Sequence, residues 1–465
     1  MSATSKAPTL DVLRTKALSA ELGGRLAAVE RDLAEGLVPA WVFGNDPELY
    51  ALERERLFPR VWSFVGHVSE LPELGDHVIR YIGEDSFIFV RGHDDEVRLL
   101  FNACRHRGNQ VCSVERGNSK LFQCPYHGWT YSNTGELTTA PAHEDAISGL
   151  DRSAWGLLAA PRLEKYRGLY FACLDPTAPS LADYIGDAAY YLDIFFGLFD
   201  DLEVIGAPQR TSWPTTWKVG FDGFGDDYHL ITLHRSLLET GALAIPPGAN
   251  ILGHHIITGH GHNTTISIAP SDETAYWGFP TEMIERYSTA HLDDLQIDLL
   301  KRSRVLVGTL FPNFSFLVFP VSIHPEVPAT PFAQIRMWQP RGDGRMEAWI
   351  WNLVPASASV AFRDSSQLAA VQTFGSSGVF DQDDGLAGHG INRTSSSVAG
   401  RSMKLNYQAG FGIGTANLVE DWPGPGVVTS HRYEENSYRY TFRQWVRFLR
   451  DDAYPELIPA PWMLD

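Results

Sequence analysis

Apolar positions set out three regions along the chain. From Leu10 to Leu37 they recur at helical spacing (Leu10, Leu13, Ala17, Leu22, Leu26, Val29, Leu33), interrupted by Gly23-Gly24, and predict a helical amino-terminal segment. A second short helix is predicted over Asp46 to Phe58, capped by Asn45 or Asp46, with Leu49, Leu52 and Leu57 on one side. From Val61 the pattern shifts to short β-type runs, VWSFVGH, DHVIRYI, SFIFVRG, VRLLFNAC, KLFQCPY and GLYFACL, separated by Gly, Asp and Pro turns. They end at Leu174-Asp175-Pro176, before a helical stretch from Ser180 to Phe199.

Beyond it, strands are predicted around Gly253 to Thr258, Thr264 to Ile268, Phe314 to Val318 and Ala348 to Asn352, with helices near Thr281 to Arg302 and Tyr438 to Leu449. The expected fold class is α+β: a small antiparallel β domain followed by a larger α+β domain with an antiparallel sheet and helices. The expected boundaries are a helical segment at 1–58 packing with the last domain, a β domain at 59–178 and the large domain at 179–465.

Length and composition agree with this division. A chain of 465 residues exceeds one small core, and its 20% charged and 44% apolar content is that of a folded globular protein. The net charge of -18 argues against nucleic-acid or anionic-membrane surfaces, which need clustered Lys and Arg. Acidity also admits a basic partner or a cationic substrate, but solubility alone accounts for it.

The most apolar stretch, Ala188 to Phe199, is broken by Asp193 and is too short to span a bilayer. With no secretory signal pattern at the start, a cytoplasmic location is expected. Four cysteines, Cys104, Cys112, Cys124 and Cys173, are too few to staple this length, so reduced thiols or metal ligands are expected.

Two constellations carry chemistry. In the β region, Cys104-Arg105-His106 and Cys124-Pro125-Tyr126-His127 each deliver one thiolate and one imidazole. A Rieske centre needs this set, two Cys on one iron and two His on the other. Gly108, Gly117 and Gly128 offer tight turns around it, and Trp129 can shield it. A Cys2His2 zinc site is the alternative, although zinc fingers and ribbons space their ligands differently. Cys112 and Cys173 fall outside the pattern and are read as buried structural thiols.

The second constellation is Asp226-Asp227-Tyr228-His229 followed by His234. On a regular helix positions 229 and 234 diverge by about 140°, so convergence requires a distortion or a helix end. Taken alone, such a His pair is weak evidence for a metal.

The segments CRHRG, CPYHGW, GFGDDYHLITLH and FGSSGVFDQDDG, with FPNFSF, NYQAGFG and WPGPG, resemble those of Rieske non-haem iron aromatic ring-hydroxylating dioxygenase large (alpha) subunits. The likeness runs from Trp41 to about Trp445 and is strongest to the naphthalene and polycyclic-aromatic type. It implies a [2Fe-2S] cluster on Cys104, His106, Cys124 and His127. It further implies mononuclear Fe(II) on His229, His234 and Asp384, with Asp383 the fallback ligand. Asp226 then bridges His229 to His127 of a neighbouring chain.

The resemblance also implies a terminal oxygenase that cis-dihydroxylates an aromatic substrate with dioxygen. A small beta subunit in an alpha3beta3 hexamer is implied, as are a ferredoxin and a flavin reductase that bring electrons from NAD(P)H. No flavin or NAD signature is present in this chain. Leu230, Phe374 and Phe380 are candidates for the substrate pocket. Asp222 joins them because Asp222-Gly223 stands where many relatives have Glu-Asn or Asp-Asn. The residues before about Ala40 carry no family signature. The rival readings are a Rieske monooxygenase or demethylase with the same ligands, and an electron carrier needing only the first constellation.

Overall fold

The computed structural model describes residues 7–11, 17–141, 149–240, 253–268, 275–322, 324, 326, 328–411, 418–430, 433–451 and 453–458. Leu13 of the amino-terminal pattern and Gly412 of NYQAGFG lie outside the described residues. Two compact units result, one of Met1–Thr15 with Arg54–Leu181 and one of Lys16–Glu53 with Ala182–Asp465. The division therefore differs from the expected boundary at residue 58. Residues 8–10 belong to the β unit because Pro8 O accepts from Ala159 N and Leu10 N donates to Ala159 O, both at 2.8 Å.

The β unit is built from short antiparallel sheets. Four strands run in the order Val97–Phe101, Asp85–Arg91, Asp76–Ile82 and Arg116–Asn118, and three more form Leu121–Gln123, Thr130–Ser132 and Leu137–Thr139. A third sheet joins Arg162–Tyr166 and Leu169–Cys173 to Ser63–His67. Ile88, Val90, Leu100, Tyr131 and Leu157 are buried in one cluster with Cys104, Cys112 and Cys124. Each of the six expected β runs contains a strand, and those at Ser63–His67, Asp76–Ile82 and Asp85–Arg91 are buried on both faces.

In the second unit helix α1 (Ala20–Leu33) is capped by the Ser19 hydroxyl, which accepts from Leu22 N at 3.1 Å. Leu22, Leu26, Val29 and Leu33 form its buried stripe, and this packing carries the helix through Gly23-Gly24 despite the roughly 1 kcal/mol that each glycine costs. The expected start at Leu10 does not hold. Helix α2 (Pro47–Arg56) matches the second expected helix, and the stretch from Ser180 to Phe199 divides into Leu181–Ile185 and Ala188–Phe196.

A nine-stranded antiparallel sheet forms the body of this unit, running Leu202–Val204, Met346–Pro355, Thr330–Pro340, Phe314–Val321, Ser303–Leu310, His262–Ile268, Gly253–Gly259 and Val427–Thr429, with Gln209–Trp213 also on Met346–Pro355. Helices α3 (Trp217–Gly225), α4 (Val360–Thr373), α5 (Val379–Ser396) and α6 (Asn436–Arg450) accompany it. The segment from Thr281 to Arg302 forms two helices, Thr281–Ile284 and Asp294–Arg302. Among the described residues no helix is long and apolar enough to cross a membrane.

Two candidate metal centres

In the β unit two tight loops deliver the first donor set. Cys104 and Cys124 are buried free thiols, and the His106 and His127 rings stand with centroids 4.5 Å apart. Gly108 and Gly128 adopt φ of +76° and +75°, which lets Gly108 N bond Cys104 O and Gly128 N bond Cys124 O. Gly117 differs from expectation: it lies in the strand Arg116–Asn118 opposite His77, not in a turn. Trp129 is buried and stacks parallel to His106 at 5.2 Å. His127 is exposed.

Burial pushes the Cys104 thiol above its ordinary range, and the neighbouring Cys124 adds to this. The Tyr131 hydroxyl accepts from Arg105 N at 3.0 Å and lies 3.3 Å from Cys104 Sγ, so its own proton is available to that sulfur. Sequence reading missed Tyr131. Its position on a buried strand two residues after Trp129 was the available signal. Paired thiols beside paired imidazoles fit a [2Fe-2S] cluster of Rieske type, in which each iron takes one kind of donor.

The second donor set depends on the seating of α3. Glu53, buried in α2, accepts from Trp217 Nε1 (3.1 Å), Lys218 Nζ (2.7 Å) and Trp445 Nε1 (2.9 Å). This fixes the start of α3, at whose end Asp226 sits. A one-turn helix, Leu230–Leu233, follows, with His229 before it in helical geometry and His234 after it outside the helical region. The helix stops before His234, and the two rings converge with centroids 5.1 Å apart.

From the other side, Asp384 enters on the second turn of α5. Its Oδ1 lies 3.3 Å from His234 Nε2 and 3.5 Å from His229 Nε2. These three residues offer donor atoms all within 4.8 Å of one another. Neighbouring ligands on an octahedron with bonds of ~2.1 Å are about 3 Å apart, so the set fits one face of a mononuclear iron site.

Each imidazole is held from behind by a second carboxylate. His229 Nδ1 faces Asp226 Oδ2 at 3.4 Å, and His234 Nδ1 faces Asp383 Oδ2 at 3.2 Å. Donation from Nδ1 leaves Nε2 free to face a metal. Asp383 and Asp384, alternatives in the sequence, are thereby placed on opposite nitrogens of His234. Burial lowers the proton affinity of His229, but the Asp226 hydrogen bond and the Asp384 and Asp227 charges outweigh it and raise the pKa overall.

The donors open onto a narrow cleft walled by Phe224, Leu230, Val305, Leu317, Phe319 and Phe374. Leu230 and Phe374 line it. Phe380 and Asp222 do not. Phe380 is fully buried, stacked on Phe374 at 4.4 Å and edge-on to His234 at 4.5 Å. Asp222 accepts from the Tyr407 hydroxyl at 2.8 Å. Burial pushes its carboxyl up to about 8, opposed by the Tyr407 bond and reinforced by Asp226 and Glu435. Phe224, on α3, and Val305, Leu317 and Phe319, on strands, were missed, because an apolar position on a helix or strand reads the same whether it walls a cavity or fills the core.

Together these features define a two-centre iron oxidoreductase. Residues 61–162 match the Rieske [2Fe-2S] domain, and residues 191–448 match the ring hydroxylating alpha subunit (catalytic domain). The chain is 34% identical over 441 residues to the N,N-dimethyl phenylurea N-demethylase subunit alpha of Sphingobium sp. (strain YBL2), covering 93% of this chain and 95% of that one. It is 33% identical over 433 residues to the biphenyl 2,3-dioxygenase subunit alpha of Rhodococcus jostii (strain RHA1), covering 89% of each. The crystal structure of naphthalene 1,2-dioxygenase from Rhodococcus sp. bound to indole superposes with a TM-score of 0.89 at 40% identity, covering 94% of this chain and 100% of that one. The chain belongs to the alpha subunits of the ring-hydroxylating Rieske non-haem iron oxygenases, enzymes that carry a [2Fe-2S] cluster and a mononuclear iron.

Proposed function

We propose that this subunit adds both atoms of one dioxygen molecule across a carbon–carbon bond of a neutral aromatic ring, giving a cis-dihydrodiol. The observation that carries this reading is the cleft itself. Aliphatic and phenyl walls lead to His229, His234 and Asp384, and among the described residues the charged side chains lining it are carboxylates, with no Lys or Arg. An anionic ring substrate such as a phthalate would find no basic side chain among the described lining to pair with, whereas a flat apolar ring matches the walls.

The reaction consumes the arene, dioxygen, a hydride equivalent from NAD(P)H and a proton. Electrons come through a separate flavin reductase and a ferredoxin. A mononuclear iron held by His229, His234 and Asp384 would supply the dioxygen activation. The phenyl walls exclude water and orient the ring. Asp226 and Asp383 hold the imidazole tautomers of His229 and His234. Asp226 also accepts a hydrogen bond from the exposed His127 of a neighbouring chain, joining cluster to iron across subunits. Assembly with a small beta subunit as alpha3beta3 and a cytoplasmic setting complete the proposal.

A second reading, oxidative N-demethylation with one oxygen atom retained, is favoured by the similarity to the N,N-dimethyl phenylurea N-demethylase subunit. The test is turnover with purified redox partners on naphthalene, phenanthrene, biphenyl, phthalate and N,N-dimethyl phenylurea. A cis-dihydrodiol from a neutral arene supports the first reading; formaldehyde release with no diol from any arene supports the second.

A further inference from the structure

Behind the aromatic wall of the cleft lies a buried ion pair with no counterpart in the donor sets. Arg336, on the strand Thr330–Pro340, is 1% exposed, and Asp381, in the first turn of α5, is 2% exposed. Arg336 Nη1 donates to Asp381 Oδ1 at 2.7 Å and Nη2 to Asp381 Oδ2 at 3.3 Å. The same Nη2 reaches Gln334 Oε1 at 3.1 Å and the Phe374 carbonyl at 3.3 Å. Gln334 Nε2 donates to that carbonyl as well, at 2.7 Å.

The guanidinium lies 4.9 Å from the Phe224 ring centroid and 5.2 Å from that of Phe374, two of the aromatic residues of the cleft wall. One side chain therefore grips both flanks of the segment from Phe374 to Asp381. Within it Phe380 packs between Phe374 and His234, and Asp384 follows Asp381 by one helical turn. Burying such a pair contributes little net stability compared with apolar residues of similar volume. What a two-pronged guanidinium contact supplies is direction, because its planar fork fits a carboxylate in one orientation.

We propose that Arg336 is a positioning residue of the mononuclear centre: through Asp381 and the Phe374 carbonyl it sets the first turn of α5, and with it the Asp384 carboxylate and the Phe374 wall. This rests on the reading that His229, His234 and Asp384 bind the iron. Lysine cannot reproduce the fork. An apolar pair can fill the space but cannot orient the helix.

The test compares the cluster-loaded oxygenase, stripped of mononuclear iron, with Arg336→Lys and with the double variant Arg336→Met, Asp381→Leu. Fe(II) affinity is titrated anaerobically, alongside melting temperature, cluster absorbance and the near-infrared ligand-field bands of bound Fe(II). Both variants are expected to keep the cluster and a cooperative melt, to bind Fe(II) about tenfold or more weakly, and to show shifted ligand-field bands. Fe(II) affinity within about threefold of the parent in a folded variant, with unshifted bands, overturns the proposal; if only one variant folds, that variant decides. His234→Ala is titrated beside them. If it still binds Fe(II) like the parent, the ligand reading fails; if it loses Fe(II), the Arg336 result stands on its own.

Discussion

Asp383 and Asp384 are adjacent carboxylates on one helix, yet the geometry gives them opposite consequences. Asp384 Oδ1 stands 3.3 and 3.5 Å from the two Nε2 atoms, whereas Asp383 Oδ2 stands 3.2 Å from His234 Nδ1, on the far side of the ring. Replacing Asp384 by Ala removes the anionic member of the donor set. By analogy with deleting one partner of a buried charge pair, this costs ~3–5 kcal/mol, or roughly 10²- to 10⁴-fold in iron affinity. Replacing Asp383 by Asn leaves all three donors and weakens only the support of His234, a cost of about 10- to 100-fold, or ~1.4–2.7 kcal/mol. The assay counts iron and acid-labile sulfide in the purified variants and then titrates Fe(II) anaerobically. Asp384→Ala should keep the cluster irons and lose the mononuclear one, while Asp383→Asn should still fill at higher Fe(II). A reversed order, with Asp383→Asn empty and Asp384→Ala full, would refute the assignment.

Three further outcomes follow from the same geometry. Asp226→Ala should retain cluster and iron, with affinity lowered no more than about 100-fold. When reduced and given substrate and dioxygen it should keep its electrons on the cluster, and normal single-turnover product would show that they travel another way. Tyr131→Phe should lower the cluster potential by tens of millivolts in protein-film voltammetry, because a hydrogen bond to Cys104 Sγ stabilises the reduced, more negative cluster; an unchanged potential contradicts this. Asp222 keeps its proton in the folded chain up to about pH 8 but ionises near 3.8 when unfolded. The folded state thus binds more protons between those values, and stability falls as pH rises through that window. Asp222→Asn should remove the fall, so that its melting temperature gains on the parent from pH 5 to pH 8. A constant difference across that range would show that Asp222 ionises normally.

What the sequence disclosed depended on how local the signal was. CRHRG and CPYHGW name every donor of the first centre because each loop holds its Cys and His within a few residues. His229 and His234 were legible as a pair, but their convergence depends on the short turn Leu230–Leu233, which no periodicity announces. Asp384 was reachable only through the resemblance. Helix α5 was not among the helices expected, and Gly385, Gly388 and Gly390 lower its intrinsic helix propensity. Packing overrides that preference: a Cβ on Gly388 would stand 3.2 Å from Thr215 Cγ2, so the glycine permits close approach. Phe380 and Asp222, expected at the pocket, are engaged elsewhere, Phe380 packed on Phe374 and His234 and Asp222 bonded to the Tyr407 hydroxyl. Arg336 and Gln334 gave no local sign, for an ion pair between positions 336 and 381 exists only in the folded chain.

The most direct measurement of the account is turnover of a neutral arene under ¹⁸O₂ with the redox partners, followed by mass spectrometry of the product. Two labelled oxygens in one cis-dihydrodiol are expected. A product carrying a single labelled oxygen, as a phenol or as the aldehyde released on N-demethylation, with no doubly labelled diol from any arene, would contradict it.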